Sequence, residues 1–508
     1  MTTPPAPSTR QPLFARQLAA FAAAKLLLHV AVNVTTQFGF QRDEFLYFAM
    51  GDHLRLWRMD FPPGIALAAN AVRWLLGDSM TAIRMVPALA GAMTLVVAVL
   101  IAREFGGGRF AQGFTALAFL VSPMFLRTAG LFQPVVLDQL CWTVALYAIV
   151  RIGASEAPDA PRWWLLLGTA LGAGLLVKFS VLIFGFALLL AILATRHRAA
   201  LTSRWPWVAA AIAFAIGSPS FVGQIALHFP VVGQMQQLRA GQLEHVSYLS
   251  FFTGQLEWGI TTLVAIAGAW ALVASPRFAA QRLAGWACIF VELVLMLAQG
   301  KSYYAGPVMP TLIAAGAVVL DRASLRWATT VASVALGAFV FPIALPVLSP
   351  QRTAAYIGAA HLDFTRRNNQ GGLEVLPQDF ADMMGWEEQV IAVRHAYDAL
   401  SDAQRKEVVI GASNYGRAGA IDYYGPRLGL PRAISSAGSY WFFGPGTRPG
   451  NVALIVEDTD VHLRQLWDDV SPVAHIHSEW SVGEERDTNV FLCQKPKRTL
   501  QQVWPTLD

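Results

Sequence analysis

The sequence predicts a polytopic, all-α membrane domain followed by a small α/β domain, and three observations carry that reading. Of 508 residues, 55% are hydrophobic and 14% charged, against about 25% charged in an ordinary soluble domain. Apolar stretches of about 18 residues or more recur along the first two thirds, each long enough to cross roughly 30 Å of hydrocarbon as a helix. The formal charge of +5 joins two unlike parts, since residues 350–508 hold 15 Lys+Arg against 20 Asp+Glu and the residues before them 23 against 13. The boundary near Pro350 therefore separates a membrane domain, 1–349, from a domain at 350–508 in which long apolar runs stop. Cys141, Cys288 and Cys493 lie far apart, which supports neither a disulfide framework nor a paired-cysteine zinc site.

Spans are expected at about 17–36, 84–103, 110–126, 133–150, 163–177, 179–195, 205–221, 257–275, 283–299, 305–320 and 327–348, roughly eleven crossings. The bases Arg10 and Arg16, Arg103 and Arg109, Arg151 and Arg162, Arg196, Arg198 and Arg204, Arg277 and Arg282, Arg322 and Arg326 fall on alternate loops, which the positive-inside rule makes cytoplasmic. An odd number of spans then leaves the N-terminus inside the cytoplasmic membrane and the acidic 350–508 domain outside it. Met1 to Arg16 is too polar and proline-rich for a cleavable signal, so the first apolar run reads as a retained span. Beyond Pro350, Glu407 to Ile410 and Asn451 to Val456 read as strands, and Asp379 to Leu400 and Val461 to Val470 as amphipathic helices.

This orientation sorts the carboxylates. Glu104, Glu156, Asp159 and Asp321 sit among cytoplasmic bases as solvated loop charges. Asp43, Glu44, Asp52, Asp60 and Asp78 gather in the first outer loop, 37–83, Asp138 opens the fourth span from the outside, and Glu244 and Glu257 flank the large outer loop 222–256. Chemistry is therefore expected at the outer face. An Asp-Glu pair at a membrane exit is, by itself, commonly a solvated or helix-capping pair. Asp138 is different, because an ionisable group entering apolar surroundings is costly without a partner or a job. Glu292, inside a span, receives no role. The apolar segment Ile65 to Leu76 is too short to span and is expected along the interface.

Arg42-Asp43-Glu44 after the first span, Asp60-Phe61-Pro62-Pro63, Gly106-Gly107-Gly108-Arg109, Asp138 opening a span, and Gly300-Lys301-Ser302-Tyr303-Tyr304 with Pro310 resemble the glycosyltransferase family 39 proteins. That group includes protein O-mannosyltransferases and the lipid A aminoarabinose transferase, integral enzymes of the GT-C fold that use polyprenyl-phosphate sugars. The run from Asn414-Tyr415-Gly416 to Tyr423-Tyr424-Gly425-Pro426 is similar to bacterial members. The resemblance implies an inverting transfer of sugar from a polyprenyl-phosphate donor to the hydroxyl of a lipid, protein or glycan acceptor, with no nucleic-acid partner.

The resemblance also implies site residues. Asp43 is the expected catalytic base, since displacing a phosphate at the anomeric carbon by a hydroxyl needs a carboxylate to take the proton. Glu44 shares or supports that role, the sequence not separating the two, and Asp138 joins the catalytic set. Asp60 occupies the position of a metal-binding glutamate, with His245 the nearest candidate to complete a divalent-cation site. Lys301 and Lys178 can snorkel to the interface and bond the donor phosphate. Phe61 replaces a basic residue of the relatives, so Arg42, Arg58 and Arg239 are the further phosphate candidates. Tyr303 and Tyr304 are expected to stack on the sugar or the isoprenoid, although an aromatic belt accounts for them, and for Trp258 and Tyr248, without a ligand. The rival from another class is a transporter or flippase of a lipid-linked glycan, which many spans and intramembrane charges would also serve. The one-sided gathering of acids stands against it. A catalytically idle partner subunit is a third reading.

Overall fold

The computed structural model describes residues 11–154, 161–241, 243, 246–368 and 371–507. The chain divides into two compact units. Unit one takes in Met1–Thr35, Leu56–Ile65 and Thr81–Leu345, and unit two Thr36–Arg55, Ala66–Met80 and Pro346–Asp508.

Unit one is helical. Among the described residues, seven helices are long and apolar enough to cross a membrane: Ala15–Thr35, Met80–Glu104, Pro134–Ala154, Trp205–Ala226, Pro276–Leu297, Ser302–Leu320 and Arg326–Ala344. Counting two sharply bent pairs as one span each raises the number to nine. The bends lie between Val181–Ala194 and Arg196–Thr202, at 107°, and between Tyr248–Trp258 and Thr261–Ala274, at 110°. At the second bend Gly259 adopts a φ of 69°, a left-handed conformation open to glycine without cost. Arg109–Val121 and Pro161–Val177 stand where further spans were expected but are shorter helices. Thirteen residues at about 1.5 Å each reach only about 20 Å.

The first of these short helices stops because of Pro123. Its missing N–H leaves the Phe119 carbonyl, four residues earlier, without its helical donor. Lys25, fully buried within Ala15–Thr35, takes that place, its Nζ donating to Phe119 O at 3.0 Å and to Phe125 O at 2.7 Å. The next short helix, Pro123–Thr128, receives His29 as well, with Nε2 lying 3.0 Å from Leu126 O. Elsewhere glycine lets backbones touch. A Cβ at Gly268 would overlap the Leu312 carbonyl, and one at Gly316 the Val264 carbonyl, which is the small-residue contact that packs helices in lipid.

Unit two contains a five-stranded sheet of β1 (Val409–Ala412), β2 (Ala433–Ile434), β3 (Val452–Glu457), β4 (Trp467–His477) and β5 (Asp487–Pro496), in the order β2-β1-β3-β5-β4. β1 runs parallel to β2 and β3, and β5 antiparallel to β3 and β4. The runs Val409-Ile410-Gly411-Ala412 and Val452 to Val456 are buried throughout, as strands covered on both faces must be. Helices Trp386–Asp398 and Tyr415–Tyr424 accompany the sheet. The helix expected over Val461 to Val470 is confined to Leu463–Leu466, and from Trp467 the chain is strand. The spacing of Leu463, Leu466, Trp467 and Val470 imitates a helix face, but pairing with β5 and a bond from Trp467 Nε1 to Gly450 O, 2.9 Å, decide otherwise. Edge strand β4 carries Pro472 beside a register shift, where a missing donor is tolerated.

Two pieces of the first outer loop also belong to unit two, among them helix Arg42–Asp52. The helix Gly64–Leu76 ends in exposed Trp74, Leu75 and Leu76. The three cysteines are unpaired, with Cys288 and Cys493 buried.

Candidate functional site

In unit two the site is built around the start of helix Arg42–Asp52. Gln41 is its N-cap: the Gln41 side chain accepts from the Asp43 N–H at 2.8 Å, and Glu44 Oε2 accepts from the Gln41 N–H at 2.8 Å. This capping box consumes the fully buried Glu44 carboxylate. Successive helical residues diverge by about 100° around the axis, so Asp43 points elsewhere. The Tyr415 hydroxyl donates to Asp43 Oδ1 at 2.9 Å.

Tyr415 opens helix Tyr415–Tyr424 directly after β1, with Asn414 as N-cap accepting from the Arg417 N–H at 2.9 Å. Two glycines let this helix close on Arg42–Asp52. A Cβ at Gly416 would meet Arg42 and Trp386, and one at Gly419 would meet Phe45 side chain and backbone. The turn after β1 is fixed by Arg417, buried and donating to Glu485 at 2.7 Å, Asp458 at 2.6 Å and Ser413 Oγ at 2.7 Å. Arg42 pairs with Asp382 at 3.6 Å and with Glu484, so its charge is already met by two carboxylates.

These contacts set the protonation of the cluster. Burial pushes the Asp43 carboxyl above the usual range, opposed by the Arg42 guanidinium and the Tyr415 hydrogen bond, while Asp379 and Glu44 add to the rise. Burial likewise lifts Asp382 to about 7 against the pull of Arg42. Burial lowers Arg42, but Asp382, Glu484 and Asp43 outweigh it and hold the guanidinium above its ordinary value.

In unit one the buried Asp138 is satisfied on both oxygens. Trp142 Nε1 donates to Oδ1 at 2.9 Å and the Ser180 hydroxyl to Oδ2 at 2.7 Å. The Lys178 charge acts on Asp138, and Lys178 Nζ also lies 5.4 Å from the centre of the Tyr304 ring. Lys301 Nζ lies 5.7 Å from the Tyr303 ring, and the two tyrosines pack edge to face at 4.8 Å. Asp138 is thus bonded by Trp142 and Ser180, within the electrostatic reach of Lys178, which itself lies beside Tyr304. Arg58 and Arg239 are exposed, Arg239 on a helix, Pro230–Gly241, with no buried residue.

Asp60 is almost fully buried. Its carbonyl accepts from Gln224 Nε2 at 2.6 Å and its carboxylate from Gln234 Nε2 at 3.2 Å. His245, the other expected metal ligand, lies outside the described residues, as do Glu244, Glu156 and Asp159. Among the described residues no group of three or more His, Cys, Asp or Glu side chains is placed to hold a metal ion.

Sequence reasoning missed Tyr415, Asp382 and Glu484 as neighbours of Asp43 and Arg42. Its one signal was the run Asn414-Tyr415-Gly416, which was set apart without a role. It also passed over Lys25 and His29, whose own signal is polarity within a span.

Comparison with known proteins bears on this arrangement at two levels. Residues 60–222 match the dolichyl-phosphate-mannose-protein mannosyltransferase family. The fold is similar to that of ArnT from Cupriavidus metallidurans bound to undecaprenyl phosphate, with a TM-score of 0.63 at 17% identity over 94% of this chain and 98% of that one. The same protein in its apo state gives a TM-score of 0.62 at 18% identity over the same shares. No curated protein sequence matches. Fold and matched segment together define the class of fold: the chain has the GT-C-type membrane architecture of ArnT, and residues 60–222 within it match the mannosyltransferase family. The resemblance on which family 39 was expected thus agrees with the mannosyltransferase match and with the fold shared with ArnT.

Proposed function

We propose that the chain transfers a sugar from a polyprenyl-phosphate donor to an acceptor hydroxyl at the extracytoplasmic face, with Asp43 as general base. The observation that carries the assignment of the base is the separation of two adjacent carboxylates, Glu44 spent on a helix cap and Asp43 held by Tyr415. The acceptor oxygen attacks the anomeric carbon as Asp43 takes its proton. The bond between that carbon and the phosphate oxygen breaks, the pair of electrons leaves with the polyprenyl phosphate, and the anomeric centre inverts. A carboxylate whose pKa burial raises, beside a guanidinium that favours its ionised form, suits proton removal.

Lys178 and Lys301 are the cations assigned to the donor phosphate, where fixed positive charge favours a departing anion. Asp138, bonded by Ser180 and Trp142, is assigned to hold negative charge near Lys178. Tyr303 and Tyr304, beside those lysines, are assigned to the sugar or the first isoprene units. Arg42, engaged by Asp382 and Glu484, serves the base rather than the phosphate. Asp60 and His245 are the residues assigned to a divalent cation, which would neutralise charge on the departing phosphate, and no step here depends on it.

The test is to incubate purified protein with a panel of polyprenyl-phosphate sugars and follow release of free polyprenyl phosphate, with and without a chelator. Release that needs an acceptor is expected, and its loss on chelation would support the Asp60–His245 cation. Movement of an intact lipid-linked glycan across vesicles without release would replace the transferase by a flippase.

A further inference from the structure

The Tyr415 hydroxyl, which meets Asp43 within unit two, has so far been given a contact but no task. We propose that Tyr415 is a positioning residue for Asp43: its hydroxyl fixes the carboxylate in one orientation and keeps it ionised for proton removal. This rests on the reading of Asp43 as the base.

Three observations within unit two carry it. The donor is 2.9 Å from Asp43 Oδ1 although 372 residues separate the two in sequence, so the contact is made by the fold and not by chain proximity. The two helices meet through Gly416 and Gly419, at positions where any Cβ would strike Arg42 or Phe45, which brings the first residue of Tyr415–Tyr424 onto the first turn of Arg42–Asp52. Third, β1 is followed by a helix leading to β2 on one side, and the chain then crosses to β3 on the other. Tyr415 therefore stands just beyond the carboxyl end of β1 where the strand order reverses, the edge at which parallel α/β sheets present groups to ligands.

The chemistry fits a donor that never releases its proton. The Asp43 charge and burial hold the Tyr415 phenol well above its ordinary range, so it remains O–H wherever the carboxylate is ionised. Other groups acting on Asp43 are Arg42, Glu44 and Tyr47 from its own helix and Asp379 and Asp382 from the segment at 378–382. Glu484 acts on Arg42 and Asp382. Of these, Arg42 and Tyr415 favour the ionised carboxylate, and Tyr415 does so by a direct hydrogen bond.

The test titrates Asp43 without needing a substrate. A hydrophobic carbodiimide adds to protonated carboxyl groups, so labelling of Asp43, read by peptide mass spectrometry across pH, gives its midpoint in the detergent-solubilised full chain. Tyr415→Phe keeps the ring and removes the donor, and the midpoint is expected to move alkaline by about one pH unit, the scale of one charge-assisted hydrogen bond. The acid limb of the pH profile for release of polyprenyl phosphate should move with it, with kcat lowered about tenfold and KM for the donor lipid unchanged. Fluorotyrosine at position 415 is a stronger donor and should move the midpoint the opposite way, which keeps the test decisive if the Phe variant does not assemble. A midpoint unmoved by either change, with Asp43→Asn inactive, overturns the role of Tyr415 alone. Full turnover by Asp43→Asn overturns the base assignment, and the tyrosine's role with it.

Discussion

Asp43 and Glu44 are adjacent carboxylates with opposite employment, and the contrast gives a sharp expectation. Asp43→Asn should lower turnover by about 100-fold or more, the effect of losing a general base, with folding retained because the Gln41 cap does not involve its carboxylate. Glu44→Gln keeps an acceptor for the Gln41 N–H and should be mild in activity, whereas Glu44→Ala should cost about 1 kcal/mol of stability. Equal loss of turnover in Asp43→Asn and Glu44→Gln would argue against this division. Asp382 supplies a pH dependence. Its carboxyl is raised from 3.8 to about 7 in the folded chain, first by burial. Between those values the native state keeps a proton that the unfolded chain has released, so stability should fall as pH rises through this window. Asp382→Asn should flatten the melting temperature between pH 4 and 7 relative to the wild type. Parallel profiles would mean that Asp382 does not hold its proton on folding.

At the scale of elements, the helices are held by what is missing as much as by what is present. Gly268 and Gly316 leave no room for a side chain between their helices, so Gly316→Leu should reduce the yield of folded protein in detergent, measured by monodisperse elution. In unit two, Gly419→Ala would press a methyl group into Phe45 backbone, and about 1–3 kcal/mol of destabilisation is expected from overpacking. Lys25 is the counterpart in polar terms. Its ammonium satisfies the carbonyl that Pro123 orphans, and Lys25→Met leaves two buried acceptors bare at about 1–3 kcal/mol each. A thermal-shift assay that found Lys25→Met as stable as the wild type would show that other donors reach those carbonyls. Apolar length located these helices in the sequence. Their bends and short ends were not legible, because Pro123 and Gly259 act on local backbone geometry that a hydropathy window averages away.

For the molecule as a whole, the chain visits unit two twice before entering the carboxy-terminal sheet, at Thr36–Arg55 and Ala66–Met80. Proteolytic or genetic removal of residues 346–508 is thus expected to strip partners from the first outer loop, including Tyr415 from Asp43. The alternation of basic loops predicts that 350–508 lies outside the cytoplasmic membrane, so reporter fusions after Pro350 are expected to read extracytoplasmic. A cytoplasmic signal there would move the proposed chemistry to the other face.

The sequence by itself determined the membrane class, the approximate places of the spans, the change of character at Pro350 and the motifs that resemble family 39. These depend on composition, period and order along the chain, which a single sequence states directly. It also put Asp43, Asp138, Lys178 and Lys301 forward from residue type and position. Only the tertiary structure decided which of two neighbouring carboxylates is a cap, that Val461 to Val470 ends as strand, that Asp60 rests on two glutamines, and that Tyr415 meets Asp43. The physical reason is that a hydrogen bond needs its partners within about 3 Å, and no pattern along the chain records which residue, hundreds of positions away, folding will bring that close.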